Sequence, residues 1–399
     1  MNQGLRNLQP YPFEKLKDLL SQVQPAADRS PISLSIGEPR HDTPEFVLQA
    51  MRDNLTLASR YPLTKGEESL RSAIADWLTT RFSLESSTID PQQHVIPVNG
   101  TREALFAICH CLVDNTATDP LVVTGNPFYQ IYEGAALLTG ASPWYLNCTA
   151  DNNFIADYDA VDASVWQRTQ VLFLCSPNNP TGRVIELDTL QKLIGLSDKY
   201  DFVIASDECY SEIYLDEEKP PVGLLEAAAK MGRDDYRNCL VFHSLSKRSN
   251  VPGLRSGFVA GDRDLIDQFY RYRTYHGCAM APYTQVASTL AWQDEQHVEE
   301  NRRLYRDKFS RVLEILAPVM QVEMPAASFY LWPETPISDT DFAQGLYRQE
   351  NLTVLPGSYL SREVDGINPG NNRLRIALVA SIEECEEAAK RIVDFIHTL

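Results

Sequence analysis

Short, nearly continuous apolar runs recur along the first two-thirds of the chain: VIPV near residue 95, LVVT at 121, VLFLC at 171, FVIAS at 202, LVFHS at 240 and GFVAG at 257. Runs of this kind predict strands buried on both faces, as in a parallel sheet covered by helices. Between them lie segments long enough for crossover helices, including EALFAICHCLVD and LDTLQKLIGLSDKY. Residues 48–288 therefore read as one large α/β domain. After residue 289 the pattern changes to a charged helix, EQHVEENRRLYRDKFSRVLEILAP, then strand-like pieces, SFYLWPE, LTVLPG and RLRIALV, and a closing helix, SIEECEEAAKRIVDFI. The first 47 residues carry too little apolar pattern for a domain of their own. They are expected to pack on the C-terminal unit, giving a small α+β domain built from 1–47 and 289–399. The turn-rich segment SREVDGINPGNN, Ser361–Asn372, predicts a surface loop.

Composition narrows the function classes. The 36 Lys and Arg against 54 Asp and Glu leave a net charge of −18, which argues against nucleic acid, whose phosphates such a surface repels. No apolar run approaches the roughly 18 residues of a membrane span, and no uncharged export core stands near the start, so a cytoplasmic protein without membrane contact is expected. Eight scattered cysteines, several inside apolar runs, read as reduced, mostly buried thiols. Cys109-His110-Cys111 is the tightest metal-like group. It follows the apolar stripe of its helix and has no second pair nearby, so core packing is the better reading and no metal is predicted.

Candidate chemistry clusters just past the predicted strands. Lys247 in SLSK follows LVFHS, where burial would lower its pKa and free the amine for Schiff-base formation. The hydroxyls of Ser244 and Ser246 and the guanidinium of Arg255 suit a phosphate. Asp207 and Tyr210 in DECY end FVIAS, Asn179 in NNPTG follows VLFLC, and Gly100-Thr101-Arg102 joins VIPV to a helix whose exposed N–H groups attract anions. Tyr129 in NPFYQIY could stack on a flat ring. Each motif alone is ordinary turn, cap or core chemistry.

In chain order, however, Gly37, Tyr61, Gly100-Thr101-Arg102, Tyr129, Asn179, Asp207, Tyr210, Ser244, Ser246, Lys247, Arg255 and Arg375 form one pattern. It resembles the class I/II aminotransferases, pyridoxal-phosphate enzymes of fold type I, over nearly the whole chain. The resemblance implies a large domain with a mostly parallel seven-stranded sheet, and pyridoxal 5'-phosphate held covalently by Lys247. It implies Asp207 on the pyridinium nitrogen, Asn179 and Tyr210 on the ring oxygen, and Tyr129 on the ring face. Ser244, Ser246, Arg255 and the Gly100–Arg102 amides would hold the phosphate, with Tyr61 completing that cup across an obligate homodimer. Gly37, Asn179 and Arg375 would contact substrate, Arg375 by forking its α-carboxylate, with Arg373 the nearby competitor.

One departure bears on specificity. In GEPRHDTP, Arg40 and His41 replace the family's usual acidic and aromatic pair, and Arg40 is expected to meet a long acidic substrate. Arg273 and His276 could also face the mouth. The ending VLPGSYLSREVDGINPGNNRLRIALVAS is similar to proteobacterial succinyldiaminopimelate aminotransferases. The expected reaction is therefore transamination between N-succinyl-LL-2,6-diaminopimelate and 2-oxoglutarate in lysine and diaminopimelate biosynthesis. Aspartate, kynurenine or glutamine transamination and carbon–sulfur lysis are the alternatives on the same fold. A transcription regulator would need a DNA-binding module that 47 acidic-chain residues do not supply.

Overall fold

The structure, a computed structural model, describes residues 2–85 and 88–399. After a two-residue strand β1 (Ile32–Ser33), seven strands form one sheet: β2 (Val95–Val98), β3 (Leu121–Asn126), β4 (Ser142–Asn147), β5 (Thr169–Cys175), β6 (Val203–Asp207), β7 (Cys239–Ser244) and β8 (Gly257–Gly261). Their spatial order is β2-β8-β7-β6-β5-β3-β4. Neighbours from β7 to β4 are parallel, and only β8 runs antiparallel to β7 and β2. The six apolar runs supply six of these strands. β4 was not anticipated, because SPWYLN at the sheet edge is largely exposed and contains Pro143, a residue tolerated only where no ladder N–H is needed.

The sheet explains the lack of alternation in those runs. Along β5, Leu172 and Leu174 enter one core with Trp77, Ile204 and Val241. Val171 and Phe173 enter the other, with Ile108, Tyr132, Ala205 and Phe242. With both faces covered, period-2 side chains are apolar at every position.

A third core gathers both ends of the chain: Ile32 and Leu34 pack with Phe309, Leu346, Ile376 and Ile392. Here β9 (Tyr330–Leu331), β11 (Leu355–Pro356) and β12 (Leu374–Ala377) form a small antiparallel sheet, while β10 (Leu352–Thr353) pairs in parallel with β1. The helices Gln296–Leu316 and Ile382–Ile396 pack over this core. The expected boundaries at 47/48 and 288/289 fall inside the helices Glu45–Asn54 and Pro282–Gln293, which pack against each other beside the large sheet. The turn-rich segment is also less free than expected. Arg362 forks both carboxylate oxygens of Glu133, at 2.8 and 2.6 Å, and its backbone exchanges hydrogen bonds with the Asn126 side chain.

Arg391 on the closing helix ties the two ends together. It is buried, donates from Nη1 to the carbonyls of Ser30 (2.7 Å) and Glu350 (2.9 Å), and pairs with Glu387 at 2.9 Å. Arg391→Ala removes the donor to the buried Glu350 carbonyl, the bond to the Ser30 carbonyl and the ion pair, and should lower unfolding free energy by about 2–4 kcal/mol in denaturant titration. Arg391→Lys, lacking the planar fork, should recover little of it.

Candidate active site

In an open α/β sheet the loops beyond the carboxyl ends of the strands form a crevice for ligands. Here they line a cavity of about 470 Å³ together with the loop after β1 and the start of β12. Lys247 stands at the end of β7, in the single-turn helix Leu245–Arg248, where the Ser244 side chain caps the amide of Ser246 at 3.1 Å. Its ammonium donates to the Gly37 carbonyl at 2.5 Å. Burial, reinforced by Arg375 and Arg255 and opposed by Cys209, pulls the amine down to about 8. Gly37 is required by close approach, since a Cβ there would lie 1.9 Å from the Tyr330 hydroxyl.

Asp207 ends β6 and is 5% exposed. Tyr132 donates to its Oδ2 at 2.8 Å and the Cys209 amide to its Oδ1 at 3.2 Å, while burial raises its pKa. Asn179, beyond β5, accepts from Arg375 Nη1 at 3.1 Å, and the Tyr210 and Tyr330 hydroxyls lie 2.9 Å apart. Arg375 is 4% exposed and bonds only neutral oxygens, with Ser35 carbonyl at 2.7 Å the second, and its Nε has no partner among the described residues. Arg373, the competitor for the carboxylate role, is outside the cavity, bonded to the Trp332 carbonyl and Glu334.

The fourth side is a cup of donors. Gly100, at φ +81°, precedes the helix Thr101–Leu112, and a Cβ on it would sit 2.2 Å from Arg255 Nη2. Around that point stand Thr101, Ser244, Ser246 and Arg255, whose guanidinium bonds only the Pro252 carbonyl, at 2.7 Å. Hydroxyls, a helix N-terminus and an arginine without a carboxylate suit a phosphate, and the buried Asp207 carboxylate suits a protonated ring nitrogen. The donor set thus fits a phosphorylated pyridine. Tyr129 and Arg102 line the same cavity, with Arg102 Nε donating to the Tyr129 hydroxyl at 2.7 Å and Nη2 to the Tyr11 hydroxyl at 3.3 Å.

Not every expected residue arrives here. Arg40, exposed just past the buried Pro39, lies in a separate surface cleft with Lys308 and Arg311. Arg273 is fully buried and paired with Glu103 at 2.6 Å, beside His276, outside the cavity. Tyr61 is wholly exposed in this single chain, and Cys109 sits in the core. Tyr132, Tyr330 and Tyr11 were missed. Tyr132 follows Tyr129 by three residues, the one local signal available, and its ring stacks on Phe173 at 4.5 Å.

Fold and donor set define a pyridoxal-phosphate enzyme of fold type I. The chain matches the aminotransferase class I and II family over residues 29–392 and belongs to it; that family is pyridoxal-phosphate dependent. A curated relative, LL-diaminopimelate aminotransferase of Desulforudis audaxviator (strain MP104C), is 29% identical over 97% of this chain and 96% of its own. A solved aminotransferase from Neisseria meningitidis Z2491 is 47% identical, with a TM-score of 0.95 and 99% of each chain covered. Aminotransferase AspB from Helicobacter pylori 26695 is 35% identical, with a TM-score of 0.90, covering 98% of this chain and all of that one.

Two outcomes follow from this geometry. Because the Lys247 pKa is lowered, its reactive neutral form is present at lower pH than for an ordinary lysine. In cofactor-free protein, amine-selective labelling of Lys247, read by peptide mass, should rise through about pH 8. Tyr132→Phe removes a hydrogen bond to the ionised Asp207 and should weaken pyridoxal-phosphate affinity about tenfold in equilibrium titration.

Proposed function

We propose that this aminotransferase moves the amino group of N-succinyl-LL-2,6-diaminopimelate to 2-oxoglutarate, giving N-succinyl-2-amino-6-oxopimelate and glutamate. The observation that carries the reading is that, besides Arg255 in the phosphate cup, two further arginines line the same cavity, Arg375 and Arg102, neither bonded to a carboxylate among the described residues. Arg375 binds the α-carboxylate. Arg102, held by the phenols of Tyr11 and Tyr129 with Nη1 unbonded among the described residues, offers the second cation that a long acidic donor and 2-oxoglutarate both need. Arg40 loses that role to Arg102.

Bound in the cup, pyridoxal phosphate supplies an electron-withdrawing ring and carries the amino group between donor and acceptor. Asp207 would keep the proton on the ring nitrogen, Asn179 and Tyr210 would hold the ring oxygen, and Tyr129 would pack against the ring. Lys247 would anchor the group, and its amine, lowered to about 8, would be suited to take the proton from the donor Cα. A homodimer completes the arrangement: Tyr61, with the exposed Leu55 and Leu63 near it in sequence, is offered to a second copy.

A second reading has unmodified LL-diaminopimelate as donor, favoured by the name of the Desulforudis relative. A half-reaction panel decides, following loss of the bound cofactor's visible absorbance as each donor is added. Rapid reaction with N-succinyl-LL-2,6-diaminopimelate and slow reaction with LL-diaminopimelate, aspartate and kynurenine is expected; the reverse order overturns the assignment. Arg102→Met should lower kcat/KM about 100-fold for the succinylated donor and for glutamate, and far less for alanine.

A further inference from the structure

The departure from the family pattern at His41 has a structural counterpart that the substrate reading does not use. His41 is turned away from the cavity, its Nδ1 2.7 Å from the Asn301 Oδ1 and its ring 4.5 Å from that of Tyr305. Asn301, on the helix Gln296–Leu316, is 2% exposed. Its Oδ1 also accepts from Asn250 Nδ2 at 3.0 Å, and its own Nδ2 donates to the backbone carbonyl of Lys247 at 3.3 Å. Thr43, two residues past His41, donates to the Asn250 carbonyl at 3.1 Å. At the other end of the same loop, the Gly37 carbonyl accepts from Lys247 Nζ.

A one-turn helix has no internal donors for its last carbonyls, so the orientation of Lys247 depends on groups outside it. The Gly37–Thr43 loop and Asn301 supply them, gripping the lysine at the amine and at the backbone. We propose that Asn301, held in place by His41, is a positioning residue for Lys247, and that this loop sets the geometry and proton affinity of the catalytic amine from behind. Because the Asn301 oxygen already accepts from Asn250, His41 meets it with Nδ1–H as donor. Burial, with the charge of Lys308 behind it, lowers the imidazole to about 4, so the ring stays neutral and keeps that tautomer at working pH. Asp42 and Glu300 are the acidic groups facing it and oppose the shift.

The test uses the holoenzyme with no amino donor present, so it is independent of which substrate is correct. The visible absorbance of the bound cofactor is titrated with pH in the parent protein and in Asn301→Ala, His41→Phe and His41→Gln. Asn301→Ala and His41→Phe are each expected to move the titration midpoint by about half a pH unit or more and to lower kcat about tenfold with donor KM little changed. His41→Gln, which retains an N–H donor, should restore most of both. A parental midpoint in both disruptive variants overturns the proposal, even if activity falls with thermal stability. If Asn301→Ala does not fold, His41→Phe, which keeps an aromatic ring against Tyr305, decides alone.

Discussion

Four cationic side chains, Lys247, Arg102, Arg255 and Arg375, face one cavity with only neutral oxygens bonded to them among the described residues. Holding Arg375, and in part Lys247, away from water without a carboxylate is costly, since neutral acceptors recover only part of the lost hydration. The arrangement makes sense when the missing anions arrive with the ligands: a phosphate at Arg255 and the hydroxyl cup, a carboxylate at Arg375. An acid residue bonded to either arginine would stabilise the empty protein and compete with the ligand. The net charge of −18 therefore coexists with a cavity built for anions, because what matters is which acids are excluded from the immediate surroundings.

That arrangement needs rigid supports, and the two cores provide them differently. The large sheet is apolar on both faces, so the ends of β5, β6 and β7 are fixed; Asp207 and Ser244 are the last residues of β6 and β7, and Asn179 stands on the loop that leaves β5. Arg375 and Gly37 come from the core that joins the two chain ends. The cavity is thus shared between two packed units, and the bonds from Gly37 to Lys247 and from Arg375 to Asn179 cross between them.

Legibility in the sequence followed the range of the interactions. Lys247, Asp207, Asn179 and Gly100 could be read because each stands just past an apolar run, so a local pattern already places it at the sheet's carboxyl edge. Tyr330 and Tyr11 could not, since nothing near them in the chain marks the residues they meet, 120 positions from Tyr210 in one case and 91 from Arg102 in the other. The edge strand β4 and the helix Asp339–Glu350 lack the continuous or strongly striped apolar patterns that revealed the rest. Arg40 and Arg273 were misplaced for a related reason. Sequence proximity to a mouth segment does not say which way a side chain leaves the backbone: Arg40 enters another cleft, and Arg273 turns into the protein to pair with Glu103.

Arg102 shows how a residue that looks locally wrong can be informative. It occupies the second position of the helix Thr101–Leu112, where the positive end of the helix dipole favours an acid and disfavours a cation. Among the described residues its guanidinium meets two phenols, by hydrogen bonds and over their rings, and no carboxylate. A phosphate bound at the same helix terminus would cancel the unfavourable field, and a second substrate carboxylate would use the charge. On the proposed function, both anions together would resolve the conflict between local preference and observed residue, the side chain of Arg102 serving substrate and its backbone the cofactor.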